Sequence, residues 1–366
     1  MLVLLRRWKN KSQLPITNYQ LPITCSPFPI LMINIAIFGA GRWGVHLIRN
    51  FHQHPNSKVV AIADSNPDRL QTAKKRFQLP DDIILTTDGS TIWNLPNIDA
   101  VAIATPAATH FALISAALEQ GYHVFTEKPL TLSVTKSLEL CELAQQKQLQ
   151  LFVDHTYLFH PAVERGKTVI ESGKLGELRY GYATRTHLEP VRQDVDALWD
   201  LAIHDIVILN SWLGEKPIQV KATGTVWLQP ASGLSDLVIA NLTYPSGFEA
   251  FLHLCWLNPD KQRRLAVVGS QGTLIFDELQ SESPLTIQQG YFDVIDNSWK
   301  SAGINREVIE IEPREPLAQV CDNFLNSIQN HQPSPISSGW VGAELVNILC
   351  GLSESLKQGG QPIHLL

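Results

Sequence analysis

The sequence predicts an α/β protein in which a parallel-sheet domain precedes an α+β domain with a large, mostly antiparallel open sheet. Three observations support this prediction. At 366 residues the chain is too long for one ordinary hydrophobic core. Its first half alternates continuous apolar runs with helical patterns, which is typical of a parallel sheet buried on both faces. Its second half changes to consecutive extended runs, which are typical of antiparallel strands.

The overall composition narrows the functional classes. Apolar residues make up 44% of the chain, charged residues make up 17%, and the net charge is −6. Such a chain lacks the positive field that binds nucleic acids or acidic membranes, and no apolar run approaches the ~20 residues of a membrane span. The five cysteines form no C-x-x-C pair, so we expect neither a disulfide framework nor a metal site. This cysteine usage fits a reducing, cytoplasmic location.

Residues 1–31 differ from the rest of the chain. Their apolar start precedes the basic residues, which is the reverse of a secretion signal, and the phrase LPIT occurs twice within 14–24. The first strand-like run begins directly after Met32. Two interpretations of this segment remain open. It is a disordered tail or translated upstream sequence, or it is a genuine but flexible extension of the protein. The domains expected after it are 32–155 and 156–366.

The elements of the first domain are predicted from its apolar runs and from residues that typically begin or end helices. Pro67 suits the first turn of a helix, Gly121 ends one, and Ser133 is a suitable N-cap. The expected strands are 33–38, 58–63, 83–85, 99–104, 122–127 and 150–155, and the expected helices are 42–53, 67–77, 108–120 and 133–147.

A glycine motif lies between the first strand and the first helix. Gly39, Gly41 and Gly44 enclose Arg42 and Trp43 in a G-x-G-x-x-G pattern, in the one context that gives this pattern weight. The first glycine suits a tight turn, the second lets the backbone approach a pyrophosphate, and the third lets helix and strand pack closely. The helix N-terminus then offers N–H groups to the phosphates. The motif predicts a Rossmann dinucleotide site.

An acidic residue ends the second strand. Asp64 follows Gly44 by twenty residues, where a carboxylate hydrogen-bonds the adenosine ribose. Its charge would repel a 2′-phosphate, and no arginine adjoins it, the nearest being Arg69. The sequence therefore favours NAD over NADP. The alternative is a glycine-rich turn followed by an Asp that only forms a turn.

Three further strings carry a family resemblance. They are TPAATH at 105–110, EKP at 127–129 and DLAIH at 200–204. With the glycine motif, they make residues 33–215 resemble the Gfo/Idh/MocA oxidoreductases, such as glucose–fructose oxidoreductase and inositol dehydrogenase. The resemblance implies a hydride transfer between nicotinamide and a secondary alcohol of a sugar, sugar nucleotide or cyclitol.

The resemblance also implies which residues surround the cofactor. Thr105 and Pro106 would lie beside its ribose and nicotinamide, although the two also suit a helix start. His110 and Glu127 would also lie near the cofactor, and His110 is expected to pack against its neighbours rather than react. Lys128, at the end of a parallel strand, would enter the cleft through a cis bond to its proline.

The same resemblance implies a catalytic set of Lys128, Asp200 and His204. His204 would exchange the hydroxyl proton, Lys128 would hydrogen-bond the oxygen, and Asp200 would orient His204. The four-residue spacing places Asp200 and His204 on one face of a helix. Alternatively, Asp200 caps the helix running to Leu213 and His204 packs in the core. Ala202 stands where the family often has Gly, from which we expect only a small change in the pocket.

Substrate contacts are the least determined feature. Candidates that could bind a sugar or phosphate, or equally be surface polar residues, are Tyr157, His160, Arg185, Arg192, Asp194 and Trp199.

The second half supplies the other sheet. The expected strands are 178–186, 218–228, 237–244, 248–257, 264–269 and 272–276, and the expected helices are 316–330 and 340–357. The resemblance implies that the last helix packs back on the first domain. It also implies that the outer sheet face forms a homodimer or homotetramer.

Two rival functions remain open. One is an NAD-dependent glycoside hydrolase of the same fold, which would release an aglycone without net nicotinamide reduction. The other is a non-catalytic regulator that binds a dinucleotide or sugar. The presence of Lys128, Asp200 and His204 counts against the regulator.

Overall fold

The computed structural model describes residues 32–188 and 190–365. The expectations for residues 1–31 lie outside the described residues. Within the described part of the chain, no helix is both long enough and apolar enough to cross a bilayer.

The first domain is built on a six-stranded sheet in the order β3-β2-β1-β4-β5-β6. Every neighbouring pair in it is parallel. This strand order brings the ends of β1 and β4 together at the point where the direction of winding reverses, which is where open α/β sheets bind ligands. The strands are β1 (Ile33–Phe38), β2 (Ser57–Ala63), β3 (Ile84–Thr86), β4 (Ala100–Ile103), β5 (His123–Thr126) and β6 (Leu151–Val153).

Four helices cover this sheet, and local chemistry sets where they begin. Asn66 caps the second helix by accepting from Asp68 N, and Pro67 is its first residue. Ser133 caps the fourth helix by accepting from Lys136 N, as its sequence position predicts. The helices are α1 (Gly44–Gln53), α2 (Pro67–Phe77), α3 (His110–Glu119) and α4 (Val134–Gln146).

The second domain carries a nine-stranded sheet in the order β14-β13-β12-β11-β7-β10-β9-β8-β15. Only the central β7–β10 pair is parallel, and every other described pair is antiparallel. The fold prediction of a parallel sheet followed by a mostly antiparallel one is confirmed. The strands are β7 (Leu178–Leu188), β8 (Gln219–Thr225), β9 (Leu237–Thr243), β10 (Glu249–Cys255), β11 (Leu257–Gly269), β12 (Thr273–Asp277), β13 (Leu285–Ile295), β14 (Ser298–Val308) and β15 (Ile363–His364).

The hairpin of β13 and β14 was not among the expected strands. Its outer half is exposed on both faces, so it lacks the apolar alternation by which buried strands are recognised. The sequence did contain one sign of this hairpin, the Asp296-Asn297 pair at its turn. Both residues have positive φ angles, 50° and 59°. Two consecutive residues with positive φ make the hairpin turn that Asp and Asn tolerate best after Gly.

The helices of the second domain connect the two sheets. The last of them contacts α4 of the first domain as well as β8 of the second. A bridge between Phe152 of β6 and Ser338, the residue before that helix, adds a backbone contact. The helices are α5 (Pro161–Glu171), α6 (Ile203–Leu213), α7 (Pro316–Gln329) and α8 (Gly339–Lys357).

Candidate active site

Glycines build the turn after β1. Gly39 has a φ of 97°, and a Cβ there would lie 2.6 Å from the Ala104 carbonyl oxygen. A Cβ on Gly44 would collide with the carbonyl oxygen of Gly39, so α1 starts directly against the turn. At Gly41 the nearest described atom to such a Cβ is Arg69 Nη1 at 3.8 Å. Packing of the described chain therefore does not require glycine at this position, whereas close approach of a ligand would.

These residues fit a dinucleotide. Open space at Gly41 adjoins the N-terminus of α1, and no described side chain caps that helix at Trp43. Free N–H groups and the helix dipole at such a terminus favour a pyrophosphate. Arg42 and Trp43 are exposed on the same turn, and both line the cleft described below. The turn thus offers the room and the donors that the phosphates need.

Asp64 is tied to the glycine turn. Its Oδ2 accepts from Ala40 N at 2.7 Å, its Oδ1 accepts from Asn66 N at 2.8 Å, and the residue is only 9% exposed. The sequence places no arginine next to Asp64, but α2 brings Arg69 Nη1 to 3.7 Å from Oδ1. The fold therefore offsets part of the negative charge that would favour NAD over NADP.

The loop after β4 lies beside the glycine turn. Thr105 N would be 3.3 Å from a Cβ on Gly39, and Pro106 precedes a short 3₁₀ turn, Ala107–Thr109, that leads into α3. His110 is buried, and its ring nitrogens lie 2.8 Å from the Pro129 carbonyl oxygen and 2.9 Å from that of Thr105. The imidazole thus holds the loop after β4 against the loop after β5, which agrees with a packing role.

A cleft of about 310 Å³ contains the reactive candidates, among them Lys128 and His204. The Lys128–Pro129 peptide bond is cis, as the resemblance implies. Lys128 Nζ donates to the backbone carbonyl oxygen of Asp200 at 3.0 Å and lies 3.8 Å from its Oδ1. The side chain is 11% exposed, and burial lowers the pKa of its ammonium.

His204 lines the same cleft as Lys128. Its ring centroid is 4.9 Å from that of Tyr157. Burial, together with the positive charges of Lys128, Arg185 and Arg263, holds the pKa of His204 well below its ordinary value. The imidazole is therefore neutral at neutral pH and able to accept a proton.

The contacts of Asp200 differ from those expected. Its Oδ1 accepts from Arg192 Nη1 at 3.4 Å and its Oδ2 accepts from Trp256 Nε1 at 3.2 Å, so the hydrogen bonds of its carboxylate go to these residues rather than to His204. The expected spacing assumed a regular α-helix, but Leu198–Ala202 is a π-helical turn with more residues per turn. The capping role is also wrong for Asp200, because Asp196 Oδ1 accepts from the backbone N–H of this turn.

Arg185 is not a free substrate-binding cation. It is 3% exposed and forms a bidentate ion pair with Asp205, Nε to Oδ2 at 3.1 Å and Nη2 to Oδ1 at 2.8 Å. Its Nη1 donates to the Tyr157 hydroxyl at 2.8 Å, and that hydroxyl donates to Glu278 at 2.5 Å. Arg185 and Tyr157 line the cleft, but this network already uses their polar atoms. Both fix the shape of the wall.

The remaining substrate candidates are placed differently. Arg192 pairs with Asp194 through Nη2 at 2.6 Å and reaches Asp200, so it supports the carboxylate beside Lys128. Trp199 is not among the residues that line the cleft. Its indole N–H donates to Ser353 of α8 at 2.8 Å, and its ring packs against both hydrophobic clusters.

His160 does line the cleft. Its Nδ1 accepts from Ala162 N at 3.1 Å and so caps α5.

Sequence reasoning identified Glu127 but missed Asp154, which forms a carboxylate pair with it beside Lys128. Glu127 and Asp154 follow Thr126 and Val153, which are register partners on β5 and β6, and both carboxylates line the cleft. Burial, with the nearby charge of Asp154, raises the pKa of Glu127 to about 8, and burial raises that of Asp154 to about 6. The order of the strands could have indicated this pair, because the carboxyl ends of neighbouring parallel strands meet at the same edge of the sheet.

Fold and site together define a nicotinamide-dependent oxidoreductase. Residues 33–155 match the model of an oxidoreductase family with an NAD-binding Rossmann fold, and residues 163–275 match that of the GFO/IDH/MocA C-terminal domain. The chain belongs to the Gfo/Idh/MocA family and is an NAD(P)-dependent dehydrogenase. Both the resemblance and the enzyme class predicted from the sequence are confirmed.

Characterised relatives of the chain act on sugars and cyclitols. UDP-N-acetylglucosamine 3-dehydrogenase of Acidithiobacillus ferrooxidans is 28% identical over 240 residues, which cover 65% of this chain and 73% of the relative. An NAD⁺-dependent scyllo-inositol 2-dehydrogenase of Bacillus subtilis is 26% identical over 275 residues, which cover 72% and 80%. The solved structure of the Acidithiobacillus enzyme aligns with a TM-score of 0.76 at 23% identity, covering 90% of this chain and 99% of that one.

Proposed function

We propose that this enzyme reversibly oxidises a secondary alcohol on a sugar, sugar nucleotide or cyclitol, with NAD as the preferred cofactor. The observation that carries the proposal is the convergence of the Lys128 ammonium and a neutral His204 imidazole in one cleft. That cleft is also lined by Arg42 and Trp43 of the glycine turn. Oxidation of an alcohol by a nicotinamide needs a proton acceptor and a group that stabilises the developing negative charge on the oxygen.

Three residues of the cleft have separate roles in this reaction. His204 takes the hydroxyl proton in the oxidation direction and returns it in the reverse direction. Lys128 donates a hydrogen bond to the same oxygen and stabilises its negative charge. Asp200 positions Lys128, since its backbone carbonyl oxygen accepts from Nζ at 3.0 Å and its carboxylate lies 3.8 Å away. Asp200 thus orients the ammonium rather than the imidazole, with Arg192 and Trp256 holding its carboxylate.

The glycine turn and its neighbours would hold the dinucleotide. The N-terminus of α1 would bind its phosphates, Asp64 would accept from the ribose hydroxyls, and Thr105 would border the pocket. When bound, the nicotinamide supplies the acceptor or donor of the hydride. The preference for NAD rests on the buried Asp64 carboxylate, which would meet a 2′-phosphate directly.

A substrate panel tests the proposal. Neutral sugars, inositols, uronic acids, sugar phosphates and sugar nucleotides are each incubated with NAD⁺ and with NADP⁺, and nicotinamide absorbance is followed. At least one polyol should reduce NAD⁺ with a higher kcat/KM than NADP⁺, and Lys128→Met should abolish most of that rate. Release of an aglycone without net reduction would instead support the glycoside hydrolase.

We also propose that the enzyme assembles as a homo-oligomer through the outer face of the nine-stranded sheet. Neighbouring strands there expose Tyr180, Ile239 and Phe251. Exposed apolar patches of this kind mark association surfaces. Light scattering of the parent and of Phe251→Asp provides the test, and a dimer or tetramer that dissociates in the variant is expected.

A further inference from the structure

An unpartnered histidine lies in the wall of the cleft. His187, near the end of β7, is only 7% exposed and lines the cleft. Both of its ring nitrogens are buried and have no hydrogen-bond partner among the described residues. Buried imidazole nitrogens are nearly always satisfied in folded proteins, so a ring left without partners at a cleft wall indicates a place where a ligand completes the bonding.

A lysine on the neighbouring strand lines the same cleft. Thr186 Oγ1 donates to the Asp260 carbonyl oxygen at 2.7 Å and accepts from Gln262 N at 3.2 Å. These two bonds fix the start of β11 against the end of β7, and the residue between them is Lys261, which is exposed and also lines the cleft. No ion pair to Lys261 is present within the described part of the chain.

The charge distribution in the cleft distinguishes this lysine from the other cations. Arg263 pairs with Glu278 at 3.0 Å, and Lys128 is held by Asp200. Arg185 is neutralised by its buried ion pair with Asp205. Among the described cleft cations, Lys261 and Arg42 therefore keep uncompensated charge, and Arg42 belongs to the glycine turn.

We propose that His187 and Lys261 form a subsite for an anionic group, a carboxylate or a phosphate, carried by the sugar substrate. The inference rests on the proposed function and narrows its substrate class. The reacting hydroxyl meets Lys128 and His204, while the anionic oxygens accept from the Lys261 ammonium and from a ring N–H of His187. A charge-assisted hydrogen bond of this kind fixes which hydroxyl of the ring faces the reacting pair.

Matched substrate pairs test the subsite. Initial rates with saturating NAD⁺ are compared for glucose against glucuronate and glucose 6-phosphate, and for N-acetylglucosamine against its UDP derivative. We expect an anionic member to be preferred, and Lys261→Met and His187→Leu to raise its KM by roughly tenfold or more while changing kcat little. Lys261→Arg should restore much of the loss. Lys221→Met, which removes an exposed lysine of β8, is the matched control and should leave both constants unchanged.

Direct binding separates the subsite from the reaction. Glucuronate, inorganic phosphate and UDP are titrated calorimetrically into the enzyme saturated with NADH, so that the dinucleotide pocket is already filled. Binding that weakens about tenfold in Lys261→Met supports the subsite. The probe that binds most tightly shows whether the anionic group is a carboxylate or a phosphate. Binding that depends on Lys261, with no substrate oxidised, would refute the proposed function but not the subsite. Equal KM values for neutral and anionic members, unaffected by either variant, would refute the subsite alone.

Discussion

Replacing Arg185 by Met separates a substrate-binding role from a structural one. The methionine side chain is shorter and carries no charge, so Asp205, which is 2% exposed, loses the bidentate partner that it holds at 2.8 and 3.1 Å. Removing one partner of a buried ion pair costs about 3–5 kcal/mol, because the other charge stays desolvated. The Tyr157 hydroxyl also loses a donor at 2.8 Å.

That cost is a large fraction of the roughly 5–15 kcal/mol that stabilises an ordinary folded protein. With a urea m-value of about 3 kcal/mol/M, the unfolding midpoint should fall by about 1–1.7 M. Tryptophan fluorescence against urea concentration measures this shift. Arg179→Met, an exposed arginine on the same strand β7, is the matched control and should leave the midpoint within about 0.2 M, since surface changes are worth about 0.5 kcal/mol.

The double variant Arg185→Met with Asp205→Leu sharpens the test. Replacing both partners of a buried pair by apolar groups is often close to neutral, so much of the lost stability should return. A single variant as stable as the parent, with a raised KM for substrate, would refute this reasoning and restore the substrate-binding role.

The same contacts predict the outcome of other substitutions. Lys128→Met should bind NAD nearly as the parent does, measured by fluorescence titration, and should turn over roughly 10²-fold more slowly or worse; unchanged turnover would exclude an essential role. Asp64→Ser should lower the ratio of kcat/KM for NAD⁺ to that for NADP⁺ by about tenfold, since the buried carboxylate no longer faces a 2′-phosphate. Trp199→Phe loses the hydrogen bond to Ser353 and should destabilise the fold by about 1 kcal/mol with KM unchanged; a raised KM would place the indole at the substrate. Burial raises the pKa of Glu127 from its ordinary value of 4.5 to about 8. Because the folded protein holds this proton more tightly than the unfolded chain does, stability is lost as the pH rises through this range. Urea midpoints of Glu127→Gln should therefore fall less than those of the parent between about pH 5 and pH 8.

The route by which Asp200 acts follows from the same geometry. If it positions Lys128, then Asp200→Asn should lower kcat and shift the pH profile of kcat/KM in the direction of a lysine with a lower pKa, because the nearby negative charge is lost. A profile identical in shape to that of the parent, with only the amplitude reduced, would argue against this role.

The elements of the first domain could be predicted from the sequence because their signals are local. The strand 33–38, the glycine turn and Asp64 lie within one supersecondary unit, where periodicity reports burial and glycine reports a backbone that side chains do not fit. The observed strand Ile33–Phe38 matches its expected bounds, and the φ of 97° at Gly39 is what the motif requires. Only the tertiary structure could show that Arg69 reaches Asp64.

The candidate site was predictable only in part. Lys128 and His204 were identified through the resemblance, and the fold brings them into one cleft. Partnerships of polar side chains could not be read from spacing. Trp199 reaches Ser353 across 154 positions, and a π-helical turn changes the face that Asp200 presents.

By itself, the sequence determined the order of the two sheets, the glycine turn of the Rossmann domain, and the ammonium and imidazole that we propose to react. The tertiary structure decided which of the other polar residues stay free for a ligand. Arg185 is neutralised by Asp205, whereas His187 and Lys261 have polar atoms at the cleft that find no partner among the described residues. The reason is that hydrophobic periodicity encodes which side of an element is buried, whereas a hydrogen bond depends on where a distant element places the partner atom to within a few tenths of an ångström.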